Sequence, residues 1–227
     1  MGCGNNTAGN LGTGQTGQGR SGLVWMRAPS GERLTEVVQV SSYSGSSYAL
    51  LADGSVLAYG SNINGKLGHG VEDFFFGSLE GGGVNVIGID RQPLENIAHI
   101  ASGNSFVLAI TQSGELLAWG NNQSGELGDA SGQQRAYAAS VTYADAPLGG
   151  ANKVAAGAAH ALVLLDDGTL MSWGRNNKGQ LGTGQFANSQ GPDFVLEGEA
   201  GNQLTDIVAI AASENHSVAL TGTGQFQ

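Results

Sequence analysis

Few residues in this chain have both the type and the spacing for chemistry, and each has a competing structural use. Gly12-Thr13-Gly14-Gln15-Thr16-Gly17 matches the GxGxxG pattern that cradles a dinucleotide pyrophosphate. That loop must follow a strand inside a βαβ unit and open a helix, and neither signal flanks it. Asn64-Gly65-Lys66-Leu67 has the Gly-Lys pair of a phosphate loop, but Leu67 stands where Ser or Thr is required. Asp166-Asp167 could begin a calcium loop, yet no second ligand group follows at loop spacing, so a hairpin turn is expected instead. Ser, His and Asp all occur without a nucleophile-elbow sequence near them. The single cysteine, Cys3, rules out an intrachain disulfide and makes a structural zinc set implausible. Neither a catalytic constellation, a cofactor nor a metal site is expected.

The residues that remain recur, and recurrence argues for structure. An aromatic-Gly-x-Asn-x-x-Gly-x-Leu-Gly motif runs from Tyr59 to Gly68, from Trp119 to Gly128 and from Trp173 to Gly182. A fourth copy, with Cys3 in the aromatic place, ends at Gly12. The leading glycines Gly4, Gly60, Gly120 and Gly174 are 56, 60 and 54 residues apart, a period that belongs to propellers and other repeat arrays. Asn62, Asn122 and Asn176 then satisfy turn backbone, and Trp119 and Trp173 share with Tyr59 a place that packs between repeats. His160 and His216 also share one place, which predicts a structural bond to a neighbouring backbone group.

Strands must position these motifs. Ala161 to Leu165 is an apolar run, Asp167-Gly168 marks a hairpin with a primed turn, and Thr169 to Trp173 returns. Similar hairpins surround Asp53-Gly54 and Ser113-Gly114, and a last one begins at Ser217. Short apolar runs precede them at Val37 to Val40, Ile97 to Ala101, Val154 to Ala156 and Ile207 to Ala211. With 39 Gly punctuating such runs, the chain reads as all-β with two or three strands per unit. The units fall at about 1–36, 37–96, 97–150, 151–206 and 207–227 of one repeat domain.

The unit resembles the repeat of the regulator of chromosome condensation family. That family's hallmark is Ala-x-Gly-x-x-His, an Asp-Gly hairpin and Trp-Gly-x-Asn-x-x-Gly-x-Leu-Gly. The third unit carries it through Ala155, Gly157, His160, Asp167, Gly168, Trp173, Gly174, Asn176, Gly179, Leu181 and Gly182. Ser46 and Phe106 occupy the histidine place in two other units, a departure from the pattern. The resemblance implies a β-propeller of seven blades, whereas about four repeats are present. The expectation is an incomplete propeller, or a segment of a longer one, with open terminal blades that self-associate.

Family members include exchange factors for small GTPases, a plant photoreceptor and bacterial β-lactamase inhibitors. The resemblance therefore implies a non-enzymatic protein–protein interaction scaffold that presents loops from a propeller face. The alternatives are an exchange-factor-like regulator of a small GTPase, or an accessory domain of a larger enzyme or surface protein. A net charge of −10 repels phosphate backbones, so nucleic acid is not an expected partner. No apolar run reaches membrane-spanning length, and no signal peptide is visible at Met1. The acidic, glycine-rich and lysine-poor composition leans toward a bacterial or extracellular surface protein. Candidate partner-binding residues are the consecutive aromatics Phe74, Phe75 and Phe76, which cannot all face one side of a strand, and a loop carrying Arg135 and Tyr137.

Overall fold

The computed structural model describes residues 1–71, 82–198 and 201–222. Alternating buried and exposed runs broken by positive-φ glycines leave room for strands only, and among the described residues there is no α-helix. The first sheet pairs β1 (Gly2–Asn6) with β2 (Gly17–Val24). A four-stranded antiparallel sheet follows, ordered β3 (Val37–Tyr43), β4 (Ser46–Leu51), β5 (Val56–Gly60) and β6 (Val84–Asn85). The next is β7 (Ile97–Ser102), β8 (Phe106–Thr111), β9 (Leu116–Gly120) and β10 (Arg135–Ser140). After a small ladder of β11 (Thr142–Tyr143) and β12 (Ala146–Pro147) comes β13 (Ala151–Ala156), β14 (His160–Leu165), β15 (Leu170–Gly174) and β16 (Ser189–Phe194). A second small ladder, β17 (Leu196–Glu197) with β18 (Asn202–Gln203), precedes the last pair, β19 (Ile207–Ala212) and β20 (Ser217–Thr221).

Each four-stranded meander is one propeller blade, one or two strands richer than the two or three expected. Blades stack in chain order, with β3 against β7, β7 against β13 and β13 against β19. No strand pairing among the described residues joins β1 or β2 to β19 or β20, so the stack is an incomplete propeller. Every interface between blades holds a separate apolar cluster. Leu67, Val86, Leu94 and Trp119 lie between the second and third sheets. Leu127, Val141, Leu148 and Trp173 lie between the third and fourth. Leu162, Leu170, Val195 and Leu204 lie between the fourth and fifth.

The hairpins differ from the two-residue primed turn expected of Asp-Gly. The Gly168 amide donates to the Leu165 carbonyl at 3.0 Å, and the Leu165 amide donates to the Thr169 carbonyl at 2.9 Å. That makes a three-residue loop, with only Gly168 left-handed at φ 83°. Asp167 then accepts the Thr169 amide at 2.9 Å, as an Asx turn does.

The glycine after each aromatic is fixed by a close approach. Gly174 has φ 101°, and a Cβ there would lie 2.6 Å from the Ala159 carbonyl oxygen. That oxygen is committed, since it accepts the Arg175 amide at 2.7 Å. Gly174→Ala should therefore lower stability by about 2 kcal/mol or more, read as a drop in denaturation midpoint. An unchanged midpoint would show that the turn can relax at no cost.

Candidate functional site

The repeated motif builds one polar clamp per blade. In the second blade Asn62 Oδ1 accepts the Leu67 amide at 3.0 Å, and its Nδ2 donates to the Val71 carbonyl at 2.8 Å. Asn122 accepts the Leu127 amide at 2.9 Å and donates to Asp129 Oδ1 at 2.9 Å. Asn176 accepts the Leu181 amide and donates to the Gln185 carbonyl, at 2.9 and 2.8 Å. Asn6 does the same with Leu11 and Gln15. All four side chains are buried, so each clamp satisfies donors and acceptors that would otherwise be stranded. The turn-capping role expected of the asparagines is what the structure shows.

Clamped in this way, the loop presents one carbonyl to the next blade. Trp119 Nε1 donates to the Lys66 carbonyl at 2.9 Å, and Trp173 Nε1 donates to the Glu126 carbonyl at 2.8 Å. Both indoles are fully buried. Tyr59 serves the first interface differently, donating its hydroxyl to the Arg27 carbonyl at 3.0 Å.

His160 adds a second inter-blade bond. Its Nε2 lies 2.9 Å from Ser217 Oγ, and that hydroxyl donates onward to the Gln180 carbonyl at 2.8 Å. The Ser217 oxygen therefore accepts, which places the proton on Nε2 of a neutral ring. The Ser217 hydroxyl stands between the ring and the Gln180 carbonyl, and the His216 backbone also bonds the ring, so a hydroxyl joins the expected backbone partner. Burial, reinforced by the neighbouring His216, pushes the His160 pKa down to about 4. His216 holds the same repeat place, just before β20, but is exposed.

The side chain between the motif's second glycine and its leucine was missed by sequence reasoning. Lys66 is 3% exposed, with Nζ donating to the Ser44 carbonyl at 2.9 Å and the Asn104 carbonyl at 3.4 Å. Burial without a carboxylate partner pushes its pKa down to about 8. Glu126, in the same place one blade later, accepts Asn121 Nδ2 at 2.8 Å and the Ser124 amide at 2.7 Å. The one available signal was a polar residue held between two fixed apolar neighbours.

Comparison with known proteins agrees with this geometry. The regulator of chromosome condensation (RCC1) repeat matches residues 97–126 and 152–180, and a second description of the same repeat matches residues 167–220. The human E3 ubiquitin-protein ligase HERC2 is 30% identical over 222 residues, which is 91% of this chain and 4% of the ligase. Protein pim1 of Schizosaccharomyces pombe is 27% identical over 87% of this chain and 37% of its own length. Human WBSCR16 superposes with a TM-score of 0.73 at 20% identity, over 96% of this chain and 52% of that one. Yeast RCC1 (Prp20), solved with Kap60, gives 0.63 at 24% identity, over 84% of this chain and 42% of that one.

The repeats within residues 97–126 and 152–220 are RCC1 repeats. The chain spans about half of WBSCR16 and a small part of HERC2, and the structural likeness is one of fold. Within the RCC1 frame the aromatic, asparagine and glycine places are all spent on the propeller itself.

The other sequence candidates land in different settings. Phe74, Phe75 and Phe76 lie outside the described residues. Arg135 and Tyr137 sit on strand β10 rather than on a loop. Arg135 Nη1 pairs with Asp129 Oδ2 at 2.9 Å, with both side chains mostly buried. Burial opposes the Asp129 charge, but bonds from Ser131, the Arg135 guanidinium and Asn122 outweigh it and hold the carboxyl below its usual range. Tyr137 is half-buried and carries the Arg91 guanidinium 5.0 Å above its ring. Sequence reasoning missed Arg91, because no spacing links positions 91 and 137.

Two pH effects follow. A base whose pKa is lower in the folded state leaves the unfolded chain holding more protons, so stability falls as pH drops through that window. For His160 the window runs from the ordinary 6.5 down to about 4. For Lys66 it runs from the ordinary 10.5 down to about 8, so stability rises as pH climbs across it. Acid titration of unfolding should be flatter in His160→Gln than in the parent between pH 6.5 and 4. Parallel curves would show that the ring titrates normally.

Proposed function

We propose that the chain is a non-enzymatic protein-interaction scaffold whose contact surface includes the rim around Ile89, Arg91 and Tyr137. One observation carries the reading. Arg91 stacks over the Tyr137 ring at 5.0 Å, and Ile89, two residues earlier, is 71% exposed. Tyr and Arg pairs beside exposed apolar residues are the composition of binding hot spots. The turn Ile89 to Gln92 is held rigidly, with the Arg91 amide donating to the Gly88 carbonyl and the Gly88 amide to that of Gln92. A rigid turn beside the outermost strand β10, which it meets at the Gly88–Ala138 bridge, presents such side chains at little entropic cost.

Proteins of this fold bind protein partners: yeast RCC1 (Prp20) has been solved bound to Kap60, and the structure of Prp20p has been described with its binding to Gsp1p and histones. Those partners belong to Prp20, and they support the class of ligand here. The net charge of −10 disfavours a phosphate-backbone ligand.

The test places a photo-crosslinking amino acid at position 137, identifies what it captures, and measures the purified partner against variants. Ile89→Asp and Arg91→Ala should each weaken that partner by about 2 kcal/mol while leaving the melting temperature nearly unchanged. A partner indifferent to both substitutions would retire this surface. Faster nucleotide release from a small GTPase on adding the chain would instead favour the exchange-factor reading.

A further inference from the structure

The segment that leaves each blade starts in the same register. The amides of Val86, Val141 and Val195 donate to the Val56, Leu116 and Leu170 carbonyls of their own sheets. The next amide, from Ile87, Thr142 or Leu196, donates to the last motif glycine, Gly68, Gly128 or Gly182. Two places therefore correspond from one interface to the next: the residue two beyond the valine, and the residue just before the following unit's valine. Between the third and fourth sheets they hold Tyr143 and Phe194, whose rings meet edge to face with centroids 5.9 Å apart. Between the second and third sheets they hold Gly88 and Ser140. Neither residue fills the space. Gly88 has no side chain, and Ser140 turns its hydroxyl to Glu115 Oε1 at 2.6 Å.

An open groove of about 810 Å³ lies where the ring pair would be, with Ile89, Pro93, Leu117, Ala139 and Pro147 among its apolar walls. It sits between two four-stranded sheets in the interior of the stack. Asp90, Glu95 and Glu115 also line it. Asp90 and Glu115 each spend one oxygen within the chain, on the Gln92 amide at 3.0 Å and on the Ser140 hydroxyl. Among the described residues none of the three carboxylates is paired with a cation, and the nearby Arg91 guanidinium lies over Tyr137 instead. One interface earlier the two places hold Ala28 and Asn85, and that groove is lined by Arg33 as well as Glu32 and Glu36, so its charge is mixed.

We propose that the groove between the second and third blades takes an aromatic side chain of a protein partner, with a lysine or arginine beside it in the partner's sequence. This rests on the reading of the Ile89 rim as a contact surface, and it names the chemistry of the partner. The filled interface between the third and fourth sheets sets the size of the occupant, because aromatic rings close the same space there. The carboxylates set its charge. Inside the groove the ring meets apolar walls and acts as the buried anchor that concentrates binding energy in an interface. Its cationic neighbour stays at the mouth, where Asp90, Glu95 and Glu115 favour it over an acidic segment and speed the encounter. Ile89, exposed at the edge of the groove, joins this site to the Arg91–Tyr137 pair.

The probe is a fluorescein-labelled peptide, Gly-Ser-Arg-Phe-Lys-Ser-Gly. Its anisotropy should rise saturably on titration with the 227-residue chain, and binding should weaken as salt is raised. Replacing the peptide's Phe by Ala should weaken binding about tenfold or more. The most direct variant of the chain is Gly88→Tyr with Ser140→Phe, which rebuilds the Tyr143–Phe194 pair in the empty groove. Gly88 is not left-handed, and a Cβ there meets first Asp90 Oδ1 at 3.0 Å, the free end of a side chain. That variant should keep its melting temperature and bind the peptide about tenfold more weakly or worse. Glu95→Lys, at an exposed position, reads the charge alone and should weaken the peptide about fivefold at low salt. Equal binding of the Phe-to-Ala peptide, no binding at millimolar peptide, or undiminished binding by a folded Gly88→Tyr, Ser140→Phe chain would overturn the proposal. Where the double variant does not fold, undiminished binding by Glu95→Lys overturns it. The rim is judged apart, on the partner captured from position 137. A partner weakened by Ile89→Asp but indifferent to the filled groove retires the groove and leaves the rim, and one indifferent to both retires both.

Discussion

The structure depends on a carbonyl held in place by an asparagine. Alone, the Lys66 or Glu126 carbonyl sits in a glycine-rich loop with many accessible conformations. The Asn62 and Asn122 side chains pin that loop from inside, each accepting the amide of the following leucine. The carbonyl then points at the neighbouring blade, and the indole of Trp119 or Trp173 arrives to donate to it. Sheet twist sets the angle between blades only after this contact fixes their separation, because the indole packs directly on a glycine. A side chain at Gly68 or Gly128 would hold the blades apart.

This arrangement explains why the repeated residues reveal the fold and say little about activity. The patterned side chains are largely consumed inside: the asparagines in turns, the tryptophans between blades, His160 on Ser217. What varies from blade to blade is left to meet a partner. The place after the second motif glycine varies yet stays inside, holding Lys66, Glu126 and Gln180 in successive blades: Lys66 donates to the Ser44 carbonyl, whereas Glu126 and Gln180 each accept the amide two residues earlier. Arg91 and Tyr137 meet on the rim, where nothing in the repeat demands either residue.

The fold was legible because its determinants are local and periodic. Gly174 is readable in sequence since a left-handed turn after a strand tolerates little else, and the 54-to-60-residue spacing names the architecture. The hairpin type was misjudged at Asp167-Gly168, where two-residue and three-residue loops share one dipeptide and differ only in which amide pairs across. The hydroxyl partner of His160 was missed for another reason: Ser217 is 57 residues away, and only the stacking of sheets brings it near. His160 and His216 look identical in sequence, yet one is buried and the other exposed, because burial depends on whether a following blade covers the place. The Arg91–Tyr137 contact is equally non-local, and so the candidate site was the least legible part.

The central claim is that the asparagine clamp and the indole bond form one cooperative unit across two blades. A double-mutant cycle of Asn62→Ala with Trp119→Phe tests it most directly, because the two side chains touch the same loop without touching each other. The account predicts a coupling energy of about 1 kcal/mol, since releasing the loop already costs the indole its acceptor. Effects that add to within about 0.3 kcal/mol would contradict it, and would mean that the clamp and the inter-blade bond stabilise the propeller independently.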